Sequence, residues 1–216
     1  MSIEPITIVR GLAAPLMRAN IDTDAIIPSR EMTTVGKAGL GRRLFANWRF
    51  KDGPVESRAE RSEFVLNRAP YRNARILLAG ENFGCGSSRE GAAWALYDFG
   101  IRVVIAPSFG AIFRANCIRN GLLPVVLDVA TVEDIARQMD AGNGESAIEV
   151  DLQKCLVTDA SGIGHPFTLP PLQREMLIEG LDSIGLAMRR VGDIDAFHDA
   201  LAVGRPWLFG VREDRA

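Results

Sequence analysis

The order of apolar and polar positions divides the chain into an irregular first third, a crisp middle and a mixed end. In the middle, residues 75–79, 103–106 and 122–127 are short continuous apolar runs, the pattern of strands buried on both faces. Between them, 89–99 and 109–119 carry apolar residues at helical spacing, and Asn120-Gly121 closes the second run. Past the third run, Val132, Ile135, Ala136 and Met139 share one helix face, with Thr131 and Asp134 read as a capping box at its start. The alternation predicts parallel strands flanked by helices, with 80–88 as a glycine-rich turn.

The flanks are less regular. Residues 6–9 read as a strand, and 20–30 as a loop with a short apolar core at 25–27. Residues 36–52 mix glycine and arginine with Phe45, Trp48 and Phe50, as a folded surface loop or short helix would; 54–61 are charged and are expected to be the most flexible stretch. After Gly144, 147–157 and 166–169 read as an antiparallel hairpin closed through 159–164, and helices follow at 172–181 and 194–203. No repeat or low-complexity segment interrupts the chain. The fold class expected is α/β, one domain over 1–216 with a parallel β-α-β core and an attached antiparallel β part.

Composition narrows the function classes. The 216 residues are 47% hydrophobic and 24% charged, an ordinary globular balance that excludes wholesale disorder. No apolar run reaches the roughly 18 residues of a spanning helix, and residues 1–10 lack a basic stretch followed by an apolar block, so neither a helical membrane protein nor a secretion signal is expected. A net charge of −2 argues against a dedicated nucleic-acid binder. Cys85, Cys117 and Cys155 are odd in number and far apart, and His165 and His198 stand alone. That argues against a disulfide framework and against a zinc or iron–sulfur site made by this chain alone. A cytoplasmic setting is the expectation.

Three segments carry candidate chemistry. Gly80-Glu-Asn-Phe-Gly-Cys-Gly-Ser-Ser-Arg-Glu90 lies between a buried strand and a helix start, where α/β proteins place anion sites. Ser87, Ser88, Arg89 and the helix N–H groups would cradle a carboxylate or phosphate; the competing reading is that Ser87 caps the helix with Glu90 in a capping box. No Gly-Lys-Ser/Thr follows and neither serine has glycine at both −2 and +2, so a Walker loop and a nucleophile elbow are excluded. Asn20-Ile-Asp-Thr-Asp-Ala-Ile-Ile-Pro-Ser-Arg30 brings Asp24 and Arg30, or is simply an Asx turn entering a strand. Gly180-Leu-Asp-Ser-Ile-Gly185 reads as a helix terminator.

Taken together, in this order and spacing, these segments resemble the 3-isopropylmalate dehydratase small-subunit family of the aconitase superfamily. Leu44 to Phe50 with its Asn-Trp-Arg-Phe, and Ile105 to Phe113, resemble it too, so the likeness runs from about residue 8 to 210. The resemblance implies an aconitase-type swivelling β/β/α domain. It implies a hydro-lyase that interconverts 2-isopropylmalate and 3-isopropylmalate through isopropylmaleate, in leucine biosynthesis. It also implies a separate large subunit holding a [4Fe-4S] cluster, with no cofactor on this chain.

By the same resemblance, Ser87 is the proton-abstracting serine, Ser88, Arg89 and Arg30 bind substrate, and Asp24 orients an arginine or the serine. Glu31, Met32 and Thr33 form the loop that discriminates the substrate's side group, and Cys85 is a packed turn residue. Two departures stand out. Gly91 replaces the family's usual histidine, and 29–34 lacks the bulky apolar pair of bacterial members. A charged Glu31 suits an isopropyl group poorly if it points inward; otherwise it faces solvent while Met32 lines the pocket. These departures keep two alternatives open: a paralogue acting on another substituted malate, such as citramalate or dimethylmalate, and a non-catalytic anion-binding or assembly module.

Overall fold

Two four-stranded sheets share one layer of apolar side chains in the computed structural model, which describes residues 3–32, 36–53, 57–86, 89–142, 144 and 146–209. The chain enters through β1 (Ile8–Gly11), crosses Leu12 and continues as β2 (Ala13–Leu16). Short helices α1 (Thr23–Ile26) and α2 (Ala46–Arg49) punctuate the long excursion that follows. Then come β3 (Ile76–Ala79), α3 (Glu90–Phe99), β4 (Val103–Ala106), α4 (Ala111–Arg119), β5 (Leu123–Val126) and α5 (Val129–Ala141). The last part holds β6 (Ile148–Asp151), β7 (Leu156–Thr158), β8 (Gly164–Pro166), α6 (Pro171–Glu179), α7 (Ser183–Met188) and α8 (Val191–Gly204).

Strands β2, β3, β4 and β5 lie side by side and all parallel, while β1, β6, β7 and β8 form the antiparallel sheet. The side-chain period of two sorts the parallel strands' residues between two cores. Leu77, Ala79, Val104 and Ala106 join Ala92, Leu96 and Phe113 of α3 and α4; Ile76, Leu78, Val103 and Ile105 join α5 and the antiparallel sheet. Both faces are covered, which is why these strands read as unbroken apolar runs. The result is the β/β/α layering expected.

Four expectations need correction. Strand β2 was missed because Ala-Ala-Pro-Leu has little strand signal; as the edge strand it accommodates Pro15. Residues 147–157 are not one strand: the chain reverses after Asp151, with Cys155 left-handed at φ 52°, so the antiparallel part has two hairpins. Helix α5 starts a turn before the Thr131–Asp134 capping box, and its cap is Asp128, which accepts bonds from Thr131 N at 2.9 Å and Thr131 Oγ1 at 2.6 Å. Residues 54–56 lie outside the described residues, but 57–61 are tied down: Lys51 N bonds Ala59 O and Arg61 N bonds Arg49 O.

The Asn-Trp-Arg-Phe motif holds that excursion in place. Arg49 is buried between the rings of Phe50 and Phe99, and it donates to Asn67 Oδ1 and to the carbonyls of Gly41 and Leu44. Burial lowers its pKa to about 10. Beside it, Trp48 stacks on Phe45 at 5.7 Å. At the other end of the chain, α7 and α8 contain no buried residue, and Ile184, Met188, Ile194, Phe197 and Trp207 are all exposed.

Candidate active site

The carboxyl ends of β2, β3 and β4 do not fray into separate loops. Gly80 N donates to Arg18 O, Asn20 N to Glu81 O, Gly84 N to Ile21 O at 2.7 Å, and Thr23 N to Cys85 O. On the other flank, Phe83 N bonds Ser108 O and Gly110 N bonds Phe83 O. These bonds extend the parallel ladder past the strands, so the 20–30 and 80–90 segments are stitched together at the sheet edge where α/β folds bind ligands. Gly84 is required at the bend: its φ is +73°, and a Cβ there would lie 2.2 Å from Phe113 Cγ.

On this platform Asp22 caps α1 by accepting from Ala25 N at 2.7 Å, which leaves Asp24 on the outer side. Pro28 turns the chain back, and Ser29 bonds Asp24 Oδ1 through both N and Oγ at 3.2 Å. Arg89 arrives from the far side, at the N-cap position of α3 in extended conformation. Its Nη1 donates to Asp24 Oδ1 at 2.7 Å and to Ser29 Oγ at 2.5 Å. Among the described residues both bonds use Nη1, so Nε and Nη2 have no partner there. Partial burial alone would raise the Asp24 pKa; the Ser29 N–H and hydroxyl bonds and the Arg89 charge outweigh it and hold the carboxyl below its usual range.

The structure therefore brings Asp24 and Arg89 together and adds Ser29, which sequence reasoning passed over. The available signal was the turn forced by Pro28, five residues after a carboxylate can be met by a hydroxyl. Ser87, Ser88 and Thr33 lie outside the described residues. Glu90 is the first helical residue of α3, and its carboxylate accepts from Asn120 Nδ2 at 2.9 Å.

Two loop residues sit differently from expectation. Arg30 makes no bond to Asp24 or Arg89; its side chain is 64% exposed, bonds Asn47 Oδ1, and lines a separate cavity of about 410 Å³ with Lys51 and Arg58. Glu31 does not face solvent. It is 1% exposed, pairs with Arg58 Nη1 at 2.7 Å, and its backbone oxygen accepts from Arg43 Nη1 at 2.6 Å. A buried carboxylate needs a cation, and Arg58 supplies it from 27 positions on. Glu31 thus anchors its loop. Met32 is half-buried against the core and touches Gly91.

The cysteines do not offer a cluster site. Cys117 is sealed in the core, where burial pushes its thiol well up, Cys155 bonds Leu152 O on the antiparallel sheet, and Cys85 is in the turn. Among the described residues no three His, Cys, Asp or Glu side chains are placed to hold a metal.

Comparison with known proteins decides the family. The aconitase C-terminal domain family matches residues 3–130. The 3-isopropylmalate dehydratase small subunit of Cupriavidus necator is 54% identical over 205 residues, covering 95% of this chain and 98% of its own. The chain belongs to the 3-isopropylmalate dehydratase small-subunit family. The small subunit from Rhodospirillum centenum is 47% identical, with 96% of this chain and all of its own covered. A crystal structure of 3-isopropylmalate dehydratase from Methanocaldococcus jannaschii matches at 28% identity with a TM-score of 0.62, over 88% of this chain and 99% of that one. As a family member, the chain is a component of an aconitase-type hydro-lyase. Among the described residues no helix is long and apolar enough to cross a membrane.

Proposed function

We propose that this chain is the small subunit of the leucine-pathway dehydratase, working in the cytoplasm. In this reading it completes the active site of a large subunit that holds a [4Fe-4S] cluster, and the pair interconverts 2- and 3-isopropylmalate through isopropylmaleate. The carrying observation is the Arg89–Asp24–Ser29 cluster beside the N-terminus of α3. A hydroxy-diacid needs cations for its carboxylates and a base for a carbon-bound proton. Arg89, already held by Asp24, meets one carboxylate with its remaining N–H donors. Ser87 takes the proton on Oγ, its anion favoured by the first N–H groups of α3 and by the Arg89 charge. Ser88 completes the substrate contacts.

In this reading the large subunit supplies the Lewis acid for the departing hydroxyl. The uncovered apolar side chains of α7 and α8 suit a chain that works in an assembly. Replacing Ser87 by Ala in the reconstituted complex tests the assignment: turnover should fall by at least ~100-fold, the scale of a lost general base. Undiminished turnover would remove Ser87 from the mechanism.

A further inference from the structure

Asn120 closes α4, is 7% exposed, and makes all four hydrogen bonds open to a side-chain amide. Its Oδ1 accepts from Trp94 Nε1 and from Lys37 Nζ, each at 2.9 Å. Its Nδ2 donates to Asn116 O at 2.8 Å and to Glu90 Oε1 at 2.9 Å. An indole N–H can only donate, so Trp94 fixes which end of the amide faces it and leaves Nδ2 for Glu90. Glu90 is exposed, opens α3 immediately after Arg89, and has no cation partner among the described residues. A carboxylate in the first turn of a helix is drawn to the N–H groups and the positive dipole end there. At α3 those are the donors that the dehydratase reading gives to Ser87, and the Arg89 side chain does not cap them. Asn120 holds Glu90 toward the end of α4 instead.

We propose that Asn120 is a positioning residue that keeps the Glu90 carboxylate off the start of α3. Arg89 and the helix N–H groups then meet a carboxylate of the substrate and not one of the chain's own. The inference rests on the dehydratase reading above. Asn120→Asp changes a single group: Oδ1 keeps its Trp94 and Lys37 bonds, but the donor facing Glu90 becomes a second carboxylate oxygen. Like charges at hydrogen-bond distance repel. Glu90, the exposed member, swings away, and the N-terminus of its own helix draws it in.

The test uses the complex reconstituted with its large subunit, with isopropylmaleate as substrate. Asn120→Asp should lower kcat/KM by about tenfold, chiefly through a raised KM, because an internal carboxylate now competes with the substrate's. Adding Glu90→Gln should return kcat/KM to within about twofold of wild type, since the new amide donates to the new carboxylate and no charge is released. An unchanged kcat/KM in Asn120→Asp overturns the inference, and so does a loss that Glu90→Gln does not repair, the mark of a merely structural role. Glu90→Ala alone, a change at an exposed position, should also stay within about twofold of wild type. A tenfold fall there would mean that Glu90 serves the site directly; it overturns the inference and can be read whether or not Asn120→Asp folds. No turnover by a cluster-loaded wild-type complex overturns the dehydratase reading and this inference with it.

Discussion

Arg89 Nη1 lies 2.7 Å from Asp24 Oδ1, a bond that joins the start of α3 to α1, 65 positions earlier in the chain. Both side chains are partly open to solvent, so the pair contributes little to stability. Its value is orientation, because a guanidinium fixed through Nη1 presents its other donors in a set direction.

Replacing Asp24 by Asn should therefore separate stability from catalysis. The melting temperature should move by no more than about 2 °C, while kcat/KM of the reconstituted complex falls by roughly tenfold or more. Because the Asp24 pKa is depressed, the pair stays intact above the usual carboxylate range and is lost only as pH falls through its lower folded value. Any acid limb of the rate profile between neutrality and about pH 5 should thus persist in the Asn variant. A limb that disappears would show that Asp24 titrates there.

Arg58→Ala should be the costly change in the loop. It leaves the buried Glu31 carboxylate without its closest cation, and Glu31 Oε2 already has no hydrogen-bond partner among the described residues. A loss of roughly 3–5 kcal/mol is expected in urea unfolding. Removing both charges together, with leucine at 31 and 58, should recover much of it. Additive losses would mean that the pair is not coupled.

Gly84→Ala attacks the platform itself. It forces a left-handed alanine and drives a methyl into the ring of Phe113, which is fully buried. Unfolding measurements should show a loss of roughly 2–5 kcal/mol. A near-neutral result would contradict the turn geometry.

Asp159 gives the antiparallel sheet a pH signature. Its buried carboxylate accepts from Ser161 N and Ile163 N, and pairs with His165 Nε2 at 2.9 Å. Burial pulls its pKa up, but the bonds from His165, Ile163, Gln138 and Ser161 prevail and hold it below the usual range. The stabilisation is present above the unfolded carboxylate pKa and lost as pH falls through the folded one. Melting curves should place Asp159→Asn below wild type at neutral pH, with the gap closing below about pH 4. A gap independent of pH would count against the ionised carboxylate.

The legible parts of the fold were those written in local pattern. Strands β3, β4 and β5 are apolar throughout because both faces are covered, and the buried face of α5 follows from its spacing alone. Strand β2 was illegible because Ala13 to Leu16 borrow their conformation from β3. At the site, segments 20–30 and 80–90 each carried a chemical signal, but the Ile21–Gly84 bond that unites them spans distant sequence. The burial of Glu31 was illegible for the same reason: its partner Arg58 lies 27 positions on. Gly91 stood out as a departure from the family pattern; its contact with Met32, 59 positions earlier, is visible only in the structure.

The central claim is that this chain supplies half of a dehydratase site. The most direct test is anaerobic reconstitution with the large subunit of the same organism, following hydration of isopropylmaleate by loss of the double bond's ultraviolet absorbance. Turnover that needs both subunits and collapses when Arg89 is replaced by Ala is the predicted result. A cluster-loaded large subunit that turns over equally well without this chain, or with the Arg89 variant, would contradict it.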